Sequence, residues 1–264
     1  MSLRRTTKRR LRHGALYGVL VVAALAVVLG ADWEAVKVNF FDSETWQALW
    51  PDIILTAAKN TVKYTVLAFA GGIALALVLA LMKLSPLRGY RYLATIYIEF
   101  FRGLPALVVI IVMALGVPLA FQWQPPGGTV GAGIIALILV SSAYMAETLR
   151  AGIQAVPKGQ REAAQSLGMS GFWTMVTVVL PQAIRIVIPP LTNEFILLVK
   201  DTSLLAFVGM QANQVDLTSF GQQGLVTYAN ASPLIAIALV YLIISIPASQ
   251  LVAYLERRQM RAAR

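Results

Sequence analysis

The sequence contains no cysteine and one histidine, His13, which lies in a basic N-terminal segment. The absence of cysteine excludes disulfides, thiolate catalysis and cysteine-ligated metals. A single histidine cannot form a HExxH zinc site, and alone it cannot make a Ser-His-Asp triad. No metal site or common hydrolytic site is therefore predicted.

Charged residues are also scarce, at 13% of the 264 residues, whereas soluble domains carry about 25%. Hydrophobic residues make up 58% of the chain, and the mean hydropathy is +0.71. A soluble fold of this size could not bury so much apolar surface. The composition excludes a soluble enzyme or a disordered chain and predicts a polytopic membrane protein.

Six stretches are long and apolar enough to cross a bilayer, which takes about 20 residues each. All six should be helices, because an open strand would leave backbone groups unpaired in lipid. Arg102 and Pro105 interrupt the third stretch, and Pro189 and Pro190 are expected to break the fifth. The stretches cover about residues 15–31, 62–82, 96–121, 130–149, 182–207 and 233–255.

The positive charges predict how the chain is oriented. Seventeen of the 22 lysines and arginines fall on one side of the six spans, and that side should be cytoplasmic. Both termini are then cytoplasmic, and the segment 32–52, with five acids against Lys37, is external. Without a clear small-x-small cleavage site, the first helix is expected to be retained. Since the net charge of +10 is explained by topology, no nucleic-acid binding is predicted.

We compared the sequence with two glycine-containing motifs that are typical of nucleotide binding. The segment Gly131-Ala-Gly133-Ile-Ile-Ala136 matches a loose dinucleotide pattern, but it opens a membrane span instead of following a strand. We interpret it as small residues that allow close helix packing. The chain has no GxxxxGK[ST] motif, so any ATP must be bound by a partner.

The cytoplasmic segment between the fourth and fifth spans predicts a short helix. Pro157 suits the first turn of a helix over about 158–167, and Gly168 suits its end. Ala163, Ala164 and Leu167 would be available for contact with another protein. The alternative is an ordinary interfacial loop.

Here the sequence resembles a known family. The pattern Glu162-Ala163-Ala164-x-x-x-Gly168, followed by Leu180-Pro181, is similar to the EAA loop of binding-protein-dependent ABC importer permeases. Other stretches, over roughly 55–255, resemble the polar amino acid (histidine/glutamate/glutamine/arginine) branch. They are Glu99-Phe-Phe-Arg102-Gly103-Leu-Pro105, residues 143–154, Pro157-Lys-Gly-Gln, Leu180-Pro181-Gln182-Ala-Ile-Arg185, Pro189-Pro-Leu-Thr-Asn193-Glu194-Phe and Lys200-Asp201-Thr202-Ser203-Leu204.

The resemblance implies an all-α type I ABC importer transmembrane domain, with a five-helix core in 51–264 and an extra N-terminal helix in 1–50. It also implies a bacterial plasma-membrane location and three kinds of partner. These are ABC ATPase subunits that bind ATP and Mg, a second permease subunit, identical or related, and an extracytoplasmic amino-acid-binding protein. The coupling loop, at about 156–171, would dock on the ATPase through Arg161, Glu162, Ala163, Ala164, Leu167 and Gly168.

Ionisable residues inside spans are costly and are candidates for function. Glu99 with Arg102, and Glu147 with Arg150, have the three-residue spacing of a helical ion pair, and we interpret both pairs as structural. Glu194 and Asp201 share one helical face and could receive the ammonium group of an amino acid; Asp201 could instead cap a helix or pair with Lys200. The predicted substrate-path residues are Asp201, Glu194, Asn193, Thr202 and Ser203.

Other function classes remain open at this stage. An ion-coupled secondary transporter would explain the intramembrane acids but not the EAA loop, and dependence on an ATPase would distinguish the two. An ABC permease for another small polar solute is a closer alternative. An intramembrane enzyme lacks a catalytic constellation, and a structural or signalling protein would leave the charged fifth span without a role.

Overall fold

The structure, a computed structural model, describes residues 5–123 and 125–262. Within those residues every regular element is helical, so the all-α prediction is confirmed. Several helices are extended by π-helical or 3₁₀ turns. The α-helices are α1 (Arg5–Gly30), α2 (Trp33–Phe40), α3 (Ser43–Ala48), α4 (Lys59–Leu84), α5 (Arg88–Gly103), α6 (Ala106–Ile111), α7 (Val117–Phe121), α8 (Gly128–Ala155), α9 (Lys158–Ser166), α10 (Gly171–Trp173), α11 (Leu180–Asp201), α12 (Leu217–Tyr228) and α13 (Ser232–Ala262).

By length and composition, the described residues contain four continuous helical stretches that could cross a membrane. Two further pairs of helices pass the same test together, although each pair is bent. Counting each pair as one span gives six, the number that the hydropathy of the sequence predicts. The four stretches are Ile53–Leu84, Gly128–Ala155, Gly171–Val208 and Ser232–Arg258; the pairs are Leu16–Gly30 with Trp33–Ala48 and Arg88–Gly103 with Ala106–Phe121.

Helix α8 lies at the centre of the fold and packs against α4, α5, α6 and α11. Small residues permit this packing. A Cβ added to Gly72 would lie 2.5 Å from Ser141 Oγ, and one added to Gly133 would lie 2.4 Å from Leu205 Cδ2. Ala136, on the same helix, is completely buried. The pattern of small residues that opens α8 therefore serves helix packing, as we interpreted it from the sequence.

The third span differs from the single interrupted helix predicted over 96–121. The chain bends by 103° between α5 and α6. Leu104 is extended, with φ −103° and ψ 139°, and Pro105 then caps α6. Because proline disfavours a helical conformation in the residue before it and has no N–H to donate, the helix ends here and a new one begins in another direction.

The fifth span corrects the prediction in two ways. It begins at Gly171, well before residue 182, through α10 and the π-helical turn Thr174–Val179. Helix α11 also continues through Pro189 and Pro190 instead of breaking there. Each proline removes only one donor from the helical ladder, and Pro189 is buried among neighbouring helices that hold the segment in place.

Candidate functional site

A cavity of about 350 Å³ lies between the α5–α6 bend, α8 and α11. Its wall is mostly apolar, with four polar or charged side chains. The lining residues are Leu104, Pro105, Ala106, Leu137, Val140, Ser141, Tyr144, Glu194, Leu197, Leu198 and Asp201. An apolar wall with a few polar groups is the usual composition of a small-molecule site.

Glu194 and Asp201 both face this cavity from α11. Their seven-residue separation places them two turns apart, about 10 Å along the helix axis. Neither acid forms an ion pair with any residue that the structure describes. Ionisable residues inside spans are costly, so two acids in one cavity wall are candidates for a functional role.

Ser141 and Tyr144 line the facing wall from α8, and sequence analysis missed both. They stand three residues apart, so their side chains lie on one helical face. Tyr144 is exposed to the cavity side, whereas Ser141 is nearly buried and its hydroxyl donates to the Ile138 carbonyl at 3.4 Å. Polar residues at this spacing in an otherwise apolar span are the signal that could have found them.

Three other predicted substrate-path residues do not line the cavity. Thr202 is completely buried, and its hydroxyl donates to the Val199 carbonyl at 2.7 Å, so its placement on the substrate path is corrected. The reason is that the chain tightens from α11 into a 3₁₀ helix, Thr202–Val208, which turns this side chain inward. Asn193 is exposed and Ser203 is half-buried, both outside the cavity wall.

Arg102 lies beside the cavity and is not paired with Glu99 among the described residues, contrary to the predicted ion pair. Its guanidinium Cζ lies 5.5 Å from the centre of the Tyr144 ring, and its carbonyl accepts from the Tyr144 hydroxyl at 3.5 Å. Both Arg102 and Glu99 are exposed on α5. The cation is therefore held by an aromatic ring instead of by an acid.

Glu147 is the centre of a three-residue charge cluster on the C-terminal half of α8. It accepts from Arg150 Nε at 2.9 Å and Nη2 at 2.7 Å, which is the predicted pair, and also from Lys83 at the end of α4. These two bonds, both to Glu147 Oε2, fix the guanidinium, whose Nη1 donates to Gln154 Oε1 at 2.6 Å. The cluster links α4 to the part of α8 that leads into α9.

Helix α9 occupies the predicted coupling segment. Gly168 ends it with φ +85°, a left-handed conformation that suits glycine. The Gly168 N–H donates to the Gln165 carbonyl and the Met169 N–H to the Ala164 carbonyl, the two bonds of a Schellman motif. Glycine at this position thus lets the chain leave α9 sharply toward α10 and the fifth span.

One face of α9 packs on its own chain, which corrects part of the predicted docking surface. Ala164 is 5% exposed, because α9 contacts the π-helical turn Thr174–Val179. It is therefore not available to a partner. Leu167 is 85% exposed, and Arg161, Glu162 and Ala163 are also exposed. These four side chains form the outward surface of the coupling segment.

Asp216 is a buried acid that the sequence analysis did not single out. Its Oδ1 accepts from the Ser219 N–H at 2.9 Å and caps α12, while its Oδ2 has no partner among the described residues. The next residue, Leu217, donates its N–H to the Thr61 hydroxyl at 3.0 Å. These contacts attach the start of α12 to α4.

Among the described residues, no three histidines, cysteines or acids are placed to hold a metal ion.

Comparison with known proteins identifies the family. Residues 72–261 match the family described as binding-protein-dependent transport system inner membrane component. The chain belongs to this family. The cavity, the charge cluster and α9 all lie inside the matched residues, and α1, α2 and α3 lie before them. The chain is thus a multi-pass membrane component of a transport system.

Individual relatives support the same assignment. The chain is 41% identical over 207 residues to the probable glutamine ABC transporter permease protein GlnM of Bacillus subtilis (strain 168), over 75% of this chain and 89% of GlnM. It is 33% identical over 216 residues to the glutamine transport system permease protein GlnP of Escherichia coli (strain K12), over 81% of this chain and 96% of GlnP.

A solved structure matches the fold. It is the crystal structure of an amino acid ABC transporter with histidines, and it superposes on this chain with a TM-score of 0.72 at 38% identity. The match covers 81% of this chain and 97% of that one. The resemblance to ABC importer permeases and the predicted type I importer fold are confirmed.

Proposed function

We propose that this chain is the membrane-spanning permease subunit of an ATP-driven, binding-protein-dependent importer of a polar amino acid such as glutamate, glutamine, arginine or histidine. The observation that carries the proposal is the cavity between α8 and α11, with Glu194 and Asp201 in its wall. The relatives named above, which carry glutamine in their names, support an amino acid as the substrate.

In this proposal the two acids receive the positive end of the substrate. Asp201 is the main contact for the α-ammonium group, and Glu194 is a second contact two turns away along α11. Apolar neighbours such as Leu197 and Leu198 make up much of the wall, and a charged hydrogen bond in such surroundings is stronger than it would be in water. Asn193 and Ser203 are close in sequence but contribute less directly.

The substrate carboxylate needs a donor, and in this proposal Arg102, beside the cavity, provides it. Its guanidinium lies over Tyr144, whose ring lines the cavity, and it has no acidic partner among the described residues. A charged side chain within a span usually has a partner. A zwitterionic amino acid bound between Arg102 and the two acids of α11 would place its carboxylate near Arg102 and its ammonium group near the acids.

The partners follow from the surface of α9. In this proposal Arg161, Glu162, Ala163 and Leu167 dock on a cytoplasmic ATPase subunit, which holds ATP and Mg, and Gly168 sets the angle of the segment. A second permease subunit, identical or related, completes the membrane part. An external binding protein delivers the amino acid, and both termini of this chain are cytoplasmic.

Reconstituted transport tests the proposal. The complex purified with its ATPase is placed in proteoliposomes, and uptake of radiolabelled amino acids is measured with the external binding protein present. Uptake should require ATP on the ATPase side and should persist when ionophores remove every ion gradient. Uptake that follows a proton or sodium gradient without ATP would support the secondary-transporter alternative instead.

The substrate site is tested by Asp201→Asn, which keeps the shape of the side chain and removes its charge. A hydrogen bond to a charged group contributes about 1.5–3 kcal/mol, so apparent substrate affinity should weaken about tenfold or more. Lys63→Gln is the control, because it removes an exposed charge on α4 that lies outside the cavity wall. ATP hydrolysis should continue in both variants. Unchanged affinity in Asp201→Asn would make this acid structural.

A further inference from the structure

The chain before the family's common core forms an angled segment on the external side. Helix α1 ends at Gly30, and the helix pair Trp33–Ala48 then runs at 76° to it. This change of direction turns α2 and α3 away from the axis of α1, so that they run closer to the membrane plane than α1 does. We call residues 33–50 the outer elbow.

Hydrogen bonds fix the depth of the outer elbow at the end of a spanning helix. The Asn39 carbonyl accepts from the Ala231 N–H at 2.6 Å, and the Asp42 N–H donates to Ser232 Oγ at 3.1 Å. Ser232 is the first residue of α13 and of its span. The outer elbow therefore lies level with the membrane edge of α13. Asn230 adds a third contact by donating to Thr45 Oγ1 at 2.9 Å.

The outer elbow exposes aromatic side chains at this depth. Trp33, Phe41 and Trp50 are 55%, 54% and 54% exposed. The Trp33 indole N–H donates to the Val28 carbonyl at 2.7 Å, which joins the first residue of α2 to the last turns of α1. Tryptophan and other amphipathic aromatics are enriched where a spanning segment meets the headgroups. A helix lying in that plane buries its apolar side chains a few ångströms into the lipid.

From these contacts we propose that the outer elbow is an interfacial anchor, with Trp33, Phe41 and Trp50 set into the headgroup region of the outer leaflet. Lipid is the occupant because the aromatic surface continues directly from α1, whose apolar side chains are exposed along its described length, from Leu16 (56%) to Leu29 (81%). Through its bonds to Ala231 and Ser232, the anchor holds the α12–α13 connection and the outer end of α13 at a fixed depth.

Charge decides which lipid the anchor suits. The residues around the outer elbow include Asp32, Glu34, Asp42 and Glu44 but only one cation, Lys37. Anionic headgroups would be repelled, so the anchor fits a zwitterionic surface such as phosphatidylcholine. The segment lies before residue 72, where the family match begins, so the anchor is an addition to the transport core.

Tryptophan fluorescence of the full chain tests the anchor. The protein has five tryptophans, Trp33, Trp46, Trp50, Trp123 and Trp173. Variants that keep one tryptophan and carry phenylalanine at the other four are reconstituted in phosphatidylcholine nanodiscs. Trp33 and Trp50 should be quenched by lipids brominated near the headgroup and protected from aqueous iodide. Trp46, which is partly buried and packs against the cluster of Leu49 and Ile53, is the matched control and should be quenched less by the brominated lipids than Trp33 and Trp50.

Hydrogen exchange gives a second, independent readout. Trp33→Gln with Trp50→Gln should weaken the anchor, so the amides of Ala231 and Ser232 should exchange at least several-fold faster in nanodiscs. Amides in the centre of α8 should keep their rates, which controls for general unfolding. Iodide quenching of Trp33 and Trp50 as strong as that of free tryptophan, or unchanged exchange at Ala231, would overturn the proposal.

Discussion

At the scale of single residues, Gly131 is where one missing Cβ has the largest structural consequence. A Cβ added there would lie 1.7 Å from the Pro126 carbonyl oxygen. That atom belongs to the backbone, and the turn beside it is already fixed by left-handed glycines at Gly127 and Gly128. A larger residue at this position of α8 could therefore not be accommodated by moving a side chain, because the clashing atom is part of the backbone.

Gly131→Ala should destabilise the protein by about 1–3 kcal/mol, the usual cost of overpacking. For a chain of this size, that is several degrees in the thermal midpoint of the detergent-solubilised protein. Gly89→Ala is the control, because no atom lies within 4 Å of its added Cβ and alanine favours the helix. Equal midpoints for the two variants would mean that the turn before α8 yields easily.

The sequence located part of the cavity and missed the rest for a physical reason. Glu194 and Asp201 stand out because an acid in an apolar stretch is costly, and their spacing predicts a common face. Tyr144 is not ionised, so its presence in an apolar span is not costly and does not single it out. Thr202 is not distinguished from the other polar residues beside it in the sequence. Whether Thr202 faces the cavity depends on where α11 tightens into a 3₁₀ helix, and that is decided by packing between distant segments.

At the scale of elements, the fate of a proline depends on what surrounds it. Pro105 redirects the chain by 103°, because the extended Leu104 before it ends α5. Pro189 and Pro190 sit in the middle of α11, where the rest of the helix and its neighbours hold the segment straight enough to continue. From the sequence alone, a helix break is predicted both at Pro105 and at Pro189 and Pro190, and only tertiary contacts distinguish the two sites.

Helix α9 gives a prediction at the same scale, because of its two adjacent alanines Ala163 is exposed and Ala164 is buried. Ala163→Trp places its bulk on the outward surface and should abolish co-purification with the ATPase while thermal stability stays near the parent value. Ala164→Trp places its bulk against the turn Thr174–Val179 and should lower the thermal midpoint by several degrees.

The pair of variants is its own control, since the same side chain is added at neighbouring positions. An Ala163→Trp protein that binds the ATPase and transports normally would contradict the assignment of the outward surface. An Ala164→Trp protein with parental stability would contradict the observed packing of α9 on its own chain.

At the scale of the whole molecule, the positive charges and the contacts between segments together predict how the chain is oriented in the membrane. The prediction of which side is cytoplasmic is based on the positive residues. The structure adds pairs of segments that contact each other and must therefore lie on the same side of the membrane. The outer elbow contacts the first residue of α13. The Lys83–Glu147–Arg150 cluster lies near the C-terminal ends of α4 and α8. A membrane placed between these two groups separates the acidic segment 32–52 from the basic loops.

Reporter fusions test this orientation directly. An enzyme reporter that is active only outside the cytoplasm should work when fused after Glu44 and fail when fused after Arg91, because α4 carries the chain across between them. A reporter that needs the cytoplasm should give the reverse result. Fusion after Arg258 should behave like fusion after Arg91, since an even number of crossings separates them. Matching signals from Glu44 and Arg91 would contradict both the six-span arrangement and the external position of the outer elbow.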